Sequence, residues 1–294
     1  MTTMLIQPQM PVKSTAVATR SAGALSAAAR VRLEETEGNA LLLNDWVRAL
    51  FIHYEVDAAA LQSLVPYELD LRGGRAYVSL VAFTMRRLRP CLGGKITQWL
   101  SAPVSNHGFL NVRTYVKHEG EAGIFFLAEW LPNVLSVFIG PRTFGLPYRY
   151  GRCDYRHDHE RGELNGKVAA LDASRQPPAP RQLCYRGGID PRASFAPSEG
   201  ESLTEFLLER YTAFTERRGV RRLFRIWHEP WPQTPVDVEV QDESLIELSG
   251  DWLGSARRVG ANYSPGALDV WIGRPQCISG RYCSRAFDLN GSKR

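Results

Sequence analysis

The sequence contains no apolar run near the roughly 18 residues that a membrane-spanning helix needs, which excludes a helical membrane protein. It also lacks any block of like charges. The net charge of +5 comes from arginines scattered along the whole chain, whereas a nucleic-acid surface gathers its cations into a stripe. A solvated arginine-rich surface is therefore the better reading, and neither nucleic acid nor membrane is expected as a partner. Cysteine is scarce. The 5 residues Cys91, Cys153, Cys184, Cys277 and Cys283 form no Cys-x-x-Cys pair, and their number is odd. With no signal-peptide pattern, this argues against a disulfide framework and for a reducing, cytoplasmic compartment. Cys277 and Cys283 are read as free thiols, too poorly spaced to indicate zinc. Absent too are a Gly-x-Ser-x-Gly elbow, a phosphate-binding glycine loop and a dinucleotide fingerprint, so those enzyme classes drop out and no cofactor is implied.

What is present points to one β-rich domain. Hydrophobic residues make up 44% of 294 residues, enough for a real core. Residues 1–38 stand apart: as far as Arg30 they hold no acid, several small residues and scattered cations. That composition overlaps with a transit peptide, but a disordered extension is the commoner case and the segment is excluded from the fold. The domain is assigned to 39–280, with 281–294 as a tail.

Asp57 is expected to cap a short helix carrying Leu61 and Leu64 that stops before Pro66. Gly73-Gly74 makes a turn into a strand over Ala76 to Met85. Leu110 to Lys117 alternates strictly, with Leu110, Val112, Thr114 and Val116 on one face and Asn111, Arg113, Tyr115 and Lys117 on the other. A turn from His118 to Gly123 returns the chain into Ile124 to Trp130 as a hairpin. Pro132 opens a helix with an apolar face of Val134, Leu135 and Phe138, ended by Gly140 and Pro141. Ser202-Leu203-Thr204-Glu205 has the capping-box form and predicts a long helix through Phe214, ended by Gly219. Many short strands, few helices and no βαβ rhythm predict a closed or partly closed antiparallel barrel.

Four segments are candidates for chemistry. The face of Asn111, Arg113, Tyr115 and Lys117 either meets solvent, which alternation alone favours, or lines a barrel interior and binds an anionic ligand. In Gly145-Leu146-Pro147-Tyr148-Arg149, Arg149 could grip a carboxylate through two parallel hydrogen bonds, or could satisfy loop carbonyls. Cys153, Tyr155, His157 and His159 would share one strand face, as a metal site requires of its ligands. Their interleaving with acids favours a solvated loop, and no metal is expected. Trp231, between Pro230 and Pro232 after His228, either caps a pocket or plugs a barrel end.

Taken in order, short stretches from about Asn44 to Pro275 resemble the YqjF-like family, a domain of unknown function related to acetoacetate decarboxylase. They include Asn44-Asp45-Trp46, Asn111-Val112-Arg113-Thr114-Tyr115-Val116, Phe144-Gly145-Leu146-Pro147-Tyr148 and His228-Glu229-Pro230-Trp231-Pro232. The resemblance implies a mainly β, acetoacetate decarboxylase-like barrel with a central cavity, a few flanking helices and a homo-oligomer. In the decarboxylases a Gly-Phe-Pro-Lys-Lys motif supplies the Schiff-base lysine and the cation that lowers its pKa. Here Tyr148 and Arg149 stand in those places, and a tyrosine cannot form an imine with a ketone. Lys117 could substitute only by reaching the same cavity. Relatives commonly place an acid where this chain has Phe109, so an acid for proton transfer has to come from elsewhere, with Glu129 as the candidate.

These observations favour a binding protein whose cavity holds a small anionic or aromatic molecule through Asn111, Arg113, Tyr148 and Arg149. The alternative is a lyase, isomerase or hydrolase on a keto acid, with Tyr148 as acid–base group and Arg149 as anchor. A third reading fills the cavity with the protein's own aromatic side chains.

Overall fold

In the computed structural model, which describes residues 22–36, 40–92, 99–171 and 181–279, a long first strand organises the molecule. Strand β1 (Ala40–Val56) runs through Leu50-Phe51-Ile52, all fully or almost fully buried. A strand apolar on both faces is covered on both faces. Phe51 joins one apolar cluster, and Leu50 and Ile52 join another on the opposite side.

The remaining strands are β2 (Glu68–Leu69), β3 (Ala76–Pro90), β4 (His107–His118), β5 (Glu121–Leu131), β6 (Tyr148–Asp158) and β7 (Glu163–Ala170). They continue with β8 (Gln182–Gly188), β9 (Thr212–Arg217), β10 (Val220–Trp227), β11 (Thr234–Pro235), β12 (Asp237–Asp242), β13 (Arg257–Gly273) and β14 (Gln276–Ser279). Helices α1 (Ala22–Glu34), α2 (Ala58–Gln62), α3 (Val134–Thr143) and α4 (Leu203–Leu208) flank them. No described helix is long and apolar enough to cross a membrane.

The pairing path β5–β9–β10–β13–β1–β3–β4 returns to β5, closing a ring. All these pairings are antiparallel except β5–β9, so the expected barrel is present with one parallel seam. At the far end of β5, residues Glu129–Leu131 pair in parallel with Tyr148–Tyr150 of β6. From there β7, β8 and β12 form a second sheet. This sheet covers one outer side of the ring: Leu164, Val168, Leu183 and Val238 pack in one cluster with Leu50, Ile52, Leu80, Leu110 and Val112. Each fully buried aliphatic side chain there contributes about 1.5–3 kcal/mol.

Local expectations are met at Asp57, which accepts the Ala60 N–H at 2.8 Å, and at the Arg72–Arg75 turn over Gly73-Gly74. Three others are corrected. First, α1 belongs to the fold. Ser26, Ala29 and Leu33 are buried, Leu33 packs with Tyr211 and Trp227, and Ser26 Oγ donates to the His228 carbonyl at 2.7 Å. Its contact stripe is built of small side chains, so composition concealed it. Residues 1–21 and 281–294 lie outside the described residues. Second, the capping box holds, with Ser202 Oγ accepting from Glu205 N at 3.0 Å, but the helix ends at Leu208. Thr212–Arg217 becomes a barrel strand, and Gly219, at φ 73°, makes the hairpin turn into β10. Third, Cys277 is disulfide-bonded rather than free; Cys283 lies outside the described residues.

Candidate functional site

The second sheet decides which way β4 faces. Leu110, Val112 and Val116 pack in the cluster that the sheet covers. Phe109, Asn111, Arg113 and Tyr115 therefore turn into the barrel, where all four are nearly inaccessible to solvent. The polar face does not meet solvent, which corrects the reading that alternation alone favoured: here the apolar face points outward because the outside is covered. Lys117 stays at the outer end of the strand, paired with Glu68 at 2.8 Å.

A β-bulge brings the acid. Val112 pairs with Ala128 and Arg113 with Phe126, so Leu127 is the extra residue on β5. Ile124 and Phe126 point inward, whereas Phe125, Leu127 and Ala128 pack outward, two of them consecutive. The chain resumes alternation one residue out of phase, which aims Glu129 into the barrel opposite Asn111. Re-aiming a side chain is what bulges beside functional sites do.

The barrel interior and α3 enclose a cavity of about 190 Å³. Its walls are largely aromatic, including Trp46, Phe51, Phe83, Phe126, Phe144 and Trp231. The polar side chains of Asn111, Arg113, Glu129 and Tyr148 also line it, with Ser136 and Thr143 of α3. Arg113 Nη2 donates to the Leu207 carbonyl at 2.9 Å, and its guanidinium lies 5.6 Å from the Phe51 ring centre. Arg113 Nε, Asn111 Oδ1 and Glu129 Oε2 have no hydrogen-bond partner within the protein. Burial pushes the Glu129 carboxyl well above the usual carboxylate range. A protonated Glu129 adds an O–H donor to the cavity.

Tyr148 packs on Gly140 of α3 and against Phe109, ring centres 5.8 Å apart. Burial, then the nearby Glu129 carboxyl, raises its phenol well above the ordinary value. It is a neutral hydrogen-bonding group, the reverse of the lowered pKa that a tyrosine base would show. A Cβ at Gly140 would fall 2.3 Å from Tyr148 Cε2. Gly140→Ala is therefore expected to displace the Tyr148 ring and destabilise the fold by about 1–3 kcal/mol, measurable by urea titration.

Arg149 does not join the site. Successive strand residues face opposite ways; its guanidinium lies over Trp130 at 5.3 Å and Nη1 donates to the Leu248 carbonyl at 2.7 Å, outside the barrel. Asn111, Arg113 and Tyr148 are brought together, and the expected fourth member is not. The turn before it depends on Gly145, at φ 76° and closely backed by Thr215 Oγ1.

Behind the cavity wall lies a hydrogen-bonded layer. His53 joins Ser79 Oγ at 2.7 Å and Asn262 Oδ1 at 3.2 Å, and Ser79 Oγ reaches Tyr115 OH at 2.5 Å. Burial, reinforced by the Arg113 charge, holds His53 down at about 3 and His228 at about 4. Trp231 is part of the cavity wall, and its backbone N–H donates to Glu209 Oε1 at 2.9 Å. Burial raises Glu209 to about 7 against that bond and the Tyr211 hydroxyl.

His157 and His159 go to different partners. His157 Nδ1 donates to the Arg48 carbonyl and Nε2 accepts from Tyr185 OH, each at 2.7 Å, while His159 meets Tyr263 OH at 3.1 Å. Among the described residues no three potential metal ligands gather.

A closed strand ring around an internal cavity, flanked by a second sheet, places the protein in the acetoacetate decarboxylase-like fold. Acetoacetate decarboxylase from Legionella pneumophila subsp. pneumophila str. Philadelphia 1 superposes with a TM-score of 0.54 at 15% identity, covering 82% of this chain and 88% of that one. The enduracididine biosynthesis enzyme MppR complexed with pyruvate gives 0.54 at 14% identity, covering 84% and 93%. At such identities the likeness concerns the fold. Residues 44–266 match the DUF2071 family, described as an uncharacterised conserved protein, and the chain belongs to that family. The uncharacterised protein YqjF of Bacillus subtilis (strain 168) is 29% identical over 219 residues, 73% of this chain and 84% of YqjF.

Proposed function

We propose that the barrel is a binding site for a small, largely apolar carboxylic acid. The observation that carries this is the convergence of three unpartnered polar atoms, Asn111 Oδ1, Arg113 Nε and Glu129 Oε2, in an otherwise aromatic cavity. Buried polar atoms without partners cost about 1–3 kcal/mol each, and a ligand that satisfies all three relieves that cost. Arg113 supplies the positive charge for a carboxylate, neutral Glu129 donates to one of its oxygens, and Asn111 Oδ1 accepts from a hydroxyl or other donor elsewhere on the ligand. The cavity, at about 190 Å³, is somewhat larger than the roughly 150 Å³ that accommodates benzene, which sets the size at one ring with a carboxyl substituent or a short branched chain. A neighbour of the same fold is complexed with pyruvate, itself a small carboxylate.

Imine chemistry is not supported. Tyr148 stands where the family resemblance puts the decarboxylases' lysine, and the described lysines, Lys117 and Lys167, do not line the cavity. A second reading rests on Glu129 alone: a carboxyl held protonated inside an apolar site can donate a proton to a bound keto acid. Turnover of a bound ligand, lost in Glu129→Gln while binding persists, would establish it.

The test is a thermal-shift screen of benzoate, branched short-chain acids and small keto acids on the wild type and Arg149→Ala. A ligand at about a hundred times its Kd adds about 2.7 kcal/mol and raises the melting temperature by several degrees. Arg149→Ala is expected to melt lower yet respond to the ligand by the same increment, because Arg149 lies outside the barrel. A screen without hits in either protein sinks the binding reading.

A further inference from the structure

Helix α3 turns an apolar face to solvent that the barrel does not use. Val134, Leu135, Phe138 and Ile139 are 66%, 45%, 56% and 42% exposed. At 3.6 residues per turn, these four positions and Arg142 span an arc of about 140°. Ser136, Gly140 and Thr143 lie on the other side and line the cavity. Ile139 belongs to both faces, since it is part of the cavity wall as well as exposed. The segment Trp99–Val104 lies alongside, tied to the helix cap by Asn133 Nδ2 donating to the Pro103 carbonyl at 2.6 Å. It adds Trp99, 70% exposed.

Positive charge gathers at the other end of the helix. The Arg142 guanidinium stacks on the Phe138 ring at 3.6 Å. Arg222 Nη1 lies against Gly145, just beyond the helix. Arg217 has Arg218, Arg142 and Arg222 near enough that, after burial, their charges lower its pKa. Acids are missing from the chain around this face: there is none from Leu71 to His118 and none from Trp130 to Cys153. The nearby Glu216 is engaged with Arg221 at 3.0 Å.

We propose that this face docks on an anionic lipid surface, with Val134, Leu135, Phe138 and Trp99 entering the headgroup region and Arg142, Arg217, Arg218 and Arg222 meeting the phosphates. An amphipathic helix with aromatic residues on one side and arginines beside them has the composition of an interfacial contact. A second copy of the chain fits less well, because the chain around this face offers the arginines no acidic partners. Docking in this orientation sets Ile139 at the lipid boundary, so an apolar acid could pass from the interface into the barrel over that side chain.

The experiment is vesicle flotation of the full chain with phosphatidylcholine alone and with phosphatidylcholine containing phosphatidylglycerol, at low and high salt. The protein is expected to float with the anionic vesicles at low salt and to release as salt rises. Phe138→Ser and the double change Arg217→Glu with Arg218→Glu are each expected to lower the bound fraction about tenfold or more, with melting temperature little changed because Phe138 and Arg218 are exposed and Arg217 is only half-buried. No recovery on anionic vesicles at low salt overturns the proposal. So does equal partition onto neutral vesicles. A concentration-dependent dimer in sedimentation velocity, broken by Phe138→Ser, would overturn it in favour of a contact between copies.

Discussion

Arg113→Met is expected to weaken binding of a one-ring carboxylate by about 100-fold or more, while the protein still folds. Arg113 is 7% exposed, and Asn111 and Glu129 are the neighbouring polar groups of the cavity. A charge-assisted bond to a carboxylate is roughly twice as strong as a neutral one. Removing one partner of a buried charged pair costs about 2–5 kcal/mol, and each 1.4 kcal/mol is tenfold in affinity. Methionine retains most of the arginine stem's packing, so the folding cost is confined chiefly to the lost bond with the Leu207 carbonyl, about 1–2 kcal/mol. Arg113→Lys keeps the charge without the fork and should fall between the two. Titration calorimetry of wild type and both variants with the best acid from the screen measures this. Affinity unchanged by Arg113→Met would place the ligand's acid group elsewhere.

Between about pH 6.5 and pH 4 the fold is expected to lose stability steeply. Burial holds His53 at about 3 and His107, His157 and His228 at about 4, all below the ordinary 6.5. As pH falls through 6.5 these side chains bind protons only in the unfolded chain, which favours unfolding by about 1.4 kcal/mol per pH unit for each. Two carboxyls act the other way. Glu209 is raised to about 7 and Glu129 well above the usual range. Between about pH 4.5 and 6.5 they keep protons in the folded protein that the unfolded chain releases, so they favour the fold as pH falls. Four histidines against two acids leave a net difference of about two protons, or roughly 3 kcal/mol of stability lost per pH unit on acidification. Urea titrations at half-unit steps from pH 7.5 to 4.5 measure the slope. A flat profile would mean that the histidines are not held neutral. Glu129→Gln should steepen the loss, because one of the opposing acids is then gone.

Much of the fold was legible because it rests on local chemistry. The Asp57 cap, the Gly73-Gly74 turn and the alternation of β4 follow from one or two residues each. What failed depended on distant segments. The spacing of Phe206, Leu207, Tyr211 and Phe214 fits a helix stripe, but β9 has to pair with both β5 and β10 to close the ring, and that pairing converts the second half of the stripe to strand. The sidedness of Asn111 and Arg113 was hidden because strand alternation says that two faces differ without saying which is covered. Glu129 could be named as the candidate acid only by way of the family resemblance, since regular alternation from Ile124 assigns it the opposite face. Arg149 was the reverse case. The same period-two rule applied to β4 separates it from Tyr148, and it was overlooked because a five-residue motif drew the two together.

The extra residue at Leu127 also has a consequence for how such barrels diversify. It acts as a phase shifter on one wall, exchanging the inward and outward sets for everything that follows it in β5. Were β5 to keep Leu127 but pair regularly through this point, Trp130 would face the interior and Glu129 the second sheet, exchanging an acid-bearing chamber for one lined by an additional indole. A difference in how one strand pairs, rather than in any lining residue, thus separates two chemically different interiors on one scaffold.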